Sequence, residues 1–305
     1  MQQDSTLFGM GAKILEGVDA ESVDLGPLNN LNGTWIGKPF DGWNVIAVPG
    51  PQNQNGFTLE VIPYEEKLTF NPVVVAGNRG TFVNGVEQDQ SIAGLMYEQI
   101  VTSVCDTQFC SDRGFAPGTI IHGETGLMLN VKNFNGGFDI VRLSTIPHGN
   151  SVLAMGQSFT GVPPNNDFFG KASTMPTTIN GGPPPLGYAE TQYFKEQFPD
   201  FNQLDPNTFL QKTLGNQKMS AMTTLVFSTE NQDGGILNIP FIQQNVKTTK
   251  MHSIFWIESM IGSTGEADTL QMQYTQTIEL VFPATGTTLP IVWPHVTINT
   301  LTKTA

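Results

Sequence analysis

The stretch LQMQYTQTIELVF, residues 270–282, decides the fold class of this chain. Successive side chains of a β-strand point to opposite faces, so residues two apart share a face. Apolar side chains recur here at every second position, and Gln276 is the one interruption. The positions between them carry Gln271, Gln273, Thr275, Thr277 and Glu279. The pattern predicts a long strand with one apolar and one polar face.

Shorter segments of the same kind occur throughout the 305 residues, separated by turns rich in the 32 glycines and 20 prolines. The candidate strands are 43–48, 57–62, 67–75, 126–131, 151–160, 219–229, 235–243, 252–261 and 294–303. Together with 270–282 they indicate an all-β protein of about ten mostly antiparallel strands. A closed barrel or a sandwich would accommodate them, and closure also removes exposed strand edges.

The middle of the chain lacks this pattern of short strands separated by turns. Residues 161–188 contain six prolines and five glycines, which predicts a loop, and helical patterns follow at 189–198 and 205–214. In the second helix Asp205 is the predicted N-cap, Pro206 the first helical residue and Gly215 the stop. The predicted organisation is an N-terminal segment 1–24, barrel parts 25–160 and 219–305, and a loop-plus-helix insertion 161–218. Phenylalanines of this insertion could form a lid: Phe168, Phe169, Phe194 and Phe198.

Composition and charge limit the classes of molecule that the protein is expected to bind. The net charge is −13 with 13% charged residues, which argues against nucleic-acid binding. No apolar run is long enough for a transmembrane helix, and the N-terminus lacks a basic and then apolar leader, so no membrane partner is expected and a cytoplasmic location is the default. Cys105 and Cys110 could form one disulfide or stay reduced, and the pair alone makes no zinc site.

Sequence motifs for hydrolases, kinases and dehydrogenases are absent, so the histidines become the candidate functional residues. His122 and Glu124 are two apart before a strand, so the carboxylate could orient the imidazole, or the two could simply pair at a hairpin. His148 follows a proline and could be a turn residue. His252 receives no function.

The last candidate strand places His295 on the same face as Trp293 and Thr297. A polar inward face is costly in a filled core but suits a cavity that holds a ligand. The alternative is that this face meets solvent.

Three motifs in order make the chain resemble the nitrobindin family. The first includes Trp35, which we expect to plug one end of the barrel. The matching residues are Leu25, Pro27, Leu28, Leu31, Gly33, Thr34, Trp35 and Gly37, then His122, Glu124 and Gly126, and finally His295, Val296 and Thr297. Longer bacterial proteins described as heme-binding share similar patterns around His148, residues 235–241 and His295.

The resemblance implies a fatty-acid-binding-protein-like (calycin) barrel of ten antiparallel strands that holds ferric heme b. His295 would be the iron ligand, because the position that carries this ligand in nitrobindins is Trp293 here. His148 and His122 would act on the distal side or bond the propionates, with Trp293 and Thr297 in the heme site. Nitric oxide, peroxynitrite or peroxide would be the substrates.

Two other classes remain open at this point. A barrel of this type could carry an apolar small molecule without a metal. The acidic surface and the proline-rich loop could instead belong to a structural or interaction protein.

Overall fold

The computed structural model describes residues 24–49, 57–75, 81–83, 85–88, 92–131, 137–146, 148–183, 192–243, 246–262, 268–282 and 290–304. In these residues the chain forms β1 Gly33–Pro49, β2 Phe57–Val75, β3 Thr81–Val83, β4 Val86–Gln88, β5 Ile92–Ser103, β6 Ile120–Asn130, β7 Ile140–Ile146, β8 Asn150–Thr160, β9 Thr177–Thr178, β10 Met219–Ser228, β11 Gly235–Asn238, β12 Lys247–Met260, β13 Thr269–Phe282 and β14 Ile291–Lys303. The helices are a 3-10 helix Gly26–Leu31, α1 Gln108–Asp112, α2 Gln192–Gln197, α3 Asn207–Leu214 and α4 Pro240–Gln243. None of these helices is long and apolar enough to cross a membrane.

Ten of the strands form a closed antiparallel barrel. Their order is β1-β2-β5-β6-β7-β8-β10-β12-β13-β14, and β14 pairs back onto β1. Strands β9 and β11 add to β14 and β8 outside this ring, and β3 and β4 form a separate hairpin. The all-β class and the closed barrel are therefore confirmed, and the sandwich is not.

Several predicted strand limits were wrong, for identifiable reasons. Segments 57–62 and 67–75 belong to one strand, β2, while 235–243 divides into β11 and the short helix α4. The strands β5 and β7 were missed. Their inward faces carry Gln99 and Arg142, so the apolar alternation that reveals a strand is broken at these positions.

One end of the barrel is plugged. Leu28 and Leu31 of the 3-10 helix are fully buried with Trp35 of β1, as the sequence predicted. The Trp35 indole Nε1 donates a hydrogen bond to the Leu31 carbonyl oxygen at 2.7 Å. These side chains continue into a cluster that fills this half of the lumen, with Phe70, Phe227 and other inward side chains of the strands.

The insertion packs on the outer wall of the barrel. Its Phe169 and Phe194 are buried in a second hydrophobic cluster with Trp43, Trp256 and other outward side chains of the strands. Phe168 and Phe198 are partly buried against the same cluster. The lid interpretation of these phenylalanines was wrong, because the wall offers them a large apolar surface.

Helix α3 explains why the polar face of β13 is not exposed. The Gln273 amide Nε2 donates to the Leu210 carbonyl oxygen at 3.2 Å, and the Thr275 hydroxyl donates to Asn207 Oδ1 at 2.6 Å. The helix begins one residue later than predicted, because Asp205 accepts from the Ala172 backbone N–H at 3.0 Å and does not cap it. It ends before Gly215, as predicted, which has φ 52°.

Cys105 and Cys110 form a disulfide, which decides the alternative that the sequence left open. The bridge joins the end of β5 to α1 and lies in a small buried cluster with Ile62, against which Phe115 and Ile121 also pack.

Candidate functional site

The lumen is hollow at the end opposite the plug. A cavity of about 210 Å³ lies inside the strands, and a second of about 320 Å³ adjoins it. The two share the lining residues Ile46, His122, His148, Ile278 and His295. The barrel therefore brings together the three histidines that the sequence singled out.

A layer of polar side chains forms the floor of the first cavity. At its centre the Glu66 carboxylate is buried and accepts hydrogen bonds from the Tyr274 hydroxyl, the Gln99 amide and the Asn299 amide, each at 2.7 Å. Burial raises the pKa of Glu66 above its ordinary value, although these hydrogen bonds oppose the shift. Tyr64 completes the floor, with its hydroxyl 2.9 Å from that of Tyr274.

Asn299 reaches Glu66 because the facing residue of β1 is a glycine. A Cβ added to Gly37 would lie 2.5 Å from Asn299 Nδ2, far inside van der Waals contact. The glycine that the sequence places two residues after Trp35 thus makes room for the polar layer.

A second part of this layer is built around Arg142. The guanidinium contacts Glu124 Oε1 and Gln276 Oε1, each at 2.7 Å, and the Tyr97 hydroxyl at 3.0 Å. Burial would raise the pKa of Glu124, but the charge of Arg142 and a hydrogen bond from His122 hold it well below its ordinary range. The pair is therefore ionised and mutually neutralised inside the barrel.

His122 lies next to the Glu124–Arg142 ion pair. Its Nε2 lies 3.5 Å from Glu124 Oε2, so the two residues share a face, as their spacing predicted. The ring of His148 follows at 5.9 Å between centroids, exposed at the rim of the cavity.

His295 faces the lumen from β14. Its Nε2 is hydrogen-bonded to Asn44 Oδ1 and lies 3.3 Å from the Thr297 hydroxyl, which also lines the cavity. Burial lowers the pKa of His295 to about 3, with the nearby charges of His122 and His148 acting in the same direction. The imidazole is neutral at pH 7 and keeps a nitrogen lone pair.

Trp293 does not join this site. It is fully buried in the outer cluster with Phe282 and Ile291, and it lines neither cavity. Among the described residues, β14 pairs with β1 only from Val296 to Lys303, while Ile291 and Val292 pair with β9 of the insertion. Trp293 therefore lies beside the segment where the insertion has become the neighbour of β14.

The donor set limits what the cavity can hold. Among the described residues no group of three His, Cys, Asp or Glu could bind a metal ion. The described residues lining the two cavities include no Lys or Arg, so among them only a histidine could supply a cationic partner for heme propionates. For iron already held in a porphyrin, a single neutral imidazole suffices. Because Asn44 Oδ1 accepts from Nε2 of His295, the lone pair that this imidazole offers to iron is on Nδ1.

Sequence reasoning missed most of the floor. Tyr64, Gln99 and Glu66 lie on strands whose polar inward positions concealed their periodicity. One signal was present, because Gln276 was the single polar residue on the apolar face of 270–282. In the structure it lines the cavity and accepts from Arg142.

No protein-family model matches the chain, and no curated protein matches it. Among solved structures, a crystal structure of Rv2717c from M. tuberculosis is similar, with a TM-score of 0.39 and 14% sequence identity. The likeness covers 92% of this chain and 98% of that one.

Proposed function

We propose that this protein binds an apolar small molecule in the cavity between His122, His148 and His295. The observation that carries the proposal is a barrel closed at one end by a solid plug and hollow at the other, with aliphatic walls. Ligand pockets are typically concave and mostly apolar, with a few placed polar groups, and span roughly 300–1,000 Å³. The two adjoining cavities are of that order.

Access to the cavity supports a binding role. Phe241 of α4 lines the second cavity and is 75% exposed, so this wall reaches the protein surface. Nearby, Leu237 is 77% exposed and Ile239 is 49% exposed. An apolar ligand would meet apolar side chains on its way in.

Heme b is a second and more specific candidate for the ligand. The neutral imidazole of His295 supports it, because iron binds an unprotonated ring nitrogen. When bound, the heme would supply chemistry on nitric oxide, peroxynitrite or peroxide. His295 would hold the iron and Thr297 would lie beside the heme. The propionates would have to extend into solvent at the open end of the cavity.

One titration series tests both ligands. The uncharged dye N-phenyl-1-naphthylamine, followed by fluorescence, and hemin, followed by absorbance, are added to the wild type and to Ile278→Trp, which fills both cavities. We expect the variant to weaken dye binding at least tenfold. Thr277→Trp is the matched control, since it adds the same side chain one residue away on the other face of β13.

The histidine variants separate the two ligands. If heme is the ligand, His295→Ala loses the Soret band of the hemin complex, while His252→Ala, which alters an exposed histidine outside the cavity, keeps it. A wild type that binds the dye but gives no Soret shift removes heme and keeps the apolar ligand. Dye affinity that is equal in the wild type and Ile278→Trp contradicts the proposal itself.

A further inference from the structure

The hydroxyl and amide hydrogens of Tyr64, Tyr274 and Gln99, which form the floor of the cavity, are used in hydrogen bonds within the protein. Each phenol has one hydrogen, and three contacts within the protein share the two: Tyr274 with Glu66 at 2.7 Å, Tyr64 with the Ile298 carbonyl oxygen at 2.8 Å, and the two hydroxyls with each other at 2.9 Å. The Gln99 amide nitrogen donates to Glu66 and lies 3.3 Å from the Tyr274 hydroxyl. What these three side chains retain for a ligand are oxygen lone pairs.

One donor remains among these acceptors. Gln276 accepts from Arg142 through its Oε1, which leaves its amide nitrogen to donate. The floor itself thus offers several acceptors and one donor.

The charges of the layer disfavour an anion. Glu66 is buried, and the three side chains that donate hydrogen bonds to it, those of Tyr274, Gln99 and Asn299, are all neutral. Arg142 lies under the floor, and its charge is matched by Glu124 at 2.7 Å. A carboxylate brought against the tyrosine oxygens would lose its water and find lone pairs opposite it, which is costly in a low-dielectric interior.

We propose that the cavity selects an apolar molecule that ends in a hydroxyl group, and that the hydroxyl lies on the Tyr64–Tyr274 floor. A hydroxyl both donates and accepts, so it can donate to a tyrosine or Gln99 oxygen and accept from the Gln276 amide. An anionic head would be rejected, and a head that only accepts would satisfy only the Gln276 donor. This inference rests on the proposed function, because it assigns the class of ligand for the same cavity.

Three ten-carbon ligands test the selection by displacement of N-phenyl-1-naphthylamine at pH 8. Decan-1-ol donates and accepts, its isomer 1-methoxynonane only accepts, and decanoate is an anion. We expect decan-1-ol to bind about fivefold tighter than either of the others, since one hydrogen bond contributes on the order of 1 kcal/mol. Simple partition into an apolar cavity would favour the ether, so the expected order is specific to the floor.

Tyr64→Phe ties the selection to the floor. The variant keeps the ring and removes the hydroxyl, so the preference for the alcohol should fall below threefold. Tyr193→Phe, which alters a tyrosine of the outer cluster, should leave it at the wild-type value. The wild-type comparison needs no variant and stands even if Tyr64→Phe fails to fold.

Each other result has a distinct meaning. Decanoate or the ether binding as tightly as the alcohol overturns the selection but leaves a ligand-binding barrel. A full alcohol preference in folded Tyr64→Phe overturns the assignment of the floor. Failure of the dye and of all three ligands to bind overturns the proposed function and this inference with it.

Discussion

Three buried glutamates show how the partners of a single residue set its behaviour. Glu124 is paired with Arg142 and is ionised, and Glu66 is surrounded by neutral donors. Glu258 is fully buried on the outer face of β12, where the Gln271 amide donates to its Oε2 at 2.8 Å. Its Oε1 has no hydrogen-bond partner among the described residues. Burial raises the pKa of Glu258 to about 7, with the Gln271 hydrogen bond opposing the shift.

Glu258 should make the protein less stable as the pH rises. The folded pKa of about 7 lies above the ordinary value of 4.5, so the folded state holds the proton where the unfolded chain has released it. The contribution of Glu258 to the free energy of unfolding is therefore fully present below pH 4.5. It falls by about 3 kcal/mol as the pH rises from 4.5 to 7. We expect Glu258→Gln to be more stable than the wild type by about that amount at pH 8 and equal to it at pH 4.

Urea unfolding at both pH values measures this difference. Glu65→Gln, which alters an exposed carboxylate on β2, is the control and should change the free energy of unfolding by less than about 0.5 kcal/mol. A Glu258→Gln protein with the same pH dependence of stability as the wild type would contradict the assignment.

At the scale of elements, α1 and its disulfide form one wall of the site. Ile62, Phe115 and Ile121 line the first cavity and also pack in the cluster that contains Cys105 and Cys110. α1 has only five residues and begins at a Thr107 N-cap whose side chain accepts from Cys110 N–H. A helix this short is marginal by itself, so the covalent link to β5 matters for its position.

Reduction of the disulfide should therefore destabilise the protein and loosen this wall. For a loop of this length the chain-entropy model gives about 2 kcal/mol. We expect dithiothreitol to lower the free energy of unfolding of the wild type by that order and to weaken dye binding severalfold. The double variant Cys105→Ala/Cys110→Ala is the control, since reductant should not affect it. An unchanged wild-type stability under full reduction would show that the bridge carries no such role.

At the scale of the whole molecule, the barrel has two halves with different tasks. The plugged half is filled by the core around Leu28, Trp35 and Phe70, and the other half holds the cavity. The polar layer lies between them. The insertion forms a second shell outside the wall, where it covers side chains such as Trp43 and Trp256. Stability and binding should therefore respond to different substitutions.

Leu28→Ala tests this division. Leu28 is fully buried in the plug, so the truncation should cost about 2–5 kcal/mol of stability. We expect the dye affinity of the folded variant to stay within twofold of the wild type, because the polar layer separates the plug from the cavity. Denaturant unfolding and dye titration on the same samples measure both effects. A loss of affinity beyond tenfold in folded protein would show that the two halves are coupled.

The sequence by itself determined the local features of this protein. The alternation in 270–282 specified a long strand, and the proline-rich stretch after residue 160 marked where the barrel rhythm stops. The two-residue spacings placed His122 with Glu124 and His295 with Thr297. These features depend on strand geometry alone, which repeats every two residues whatever the neighbours are.

Only the tertiary structure determined whether each strand face packs against the lumen, against the insertion or against solvent. The polar face of β13 could have met solvent, but helix α3 covers it, and Trp293 lies in the outer cluster although its spacing matched His295. The Tyr64–Tyr274–Glu66 floor joins residues up to 210 positions apart along the chain. Such contacts arise when the barrel closes and the insertion packs on it, so no periodicity within a single segment encodes them.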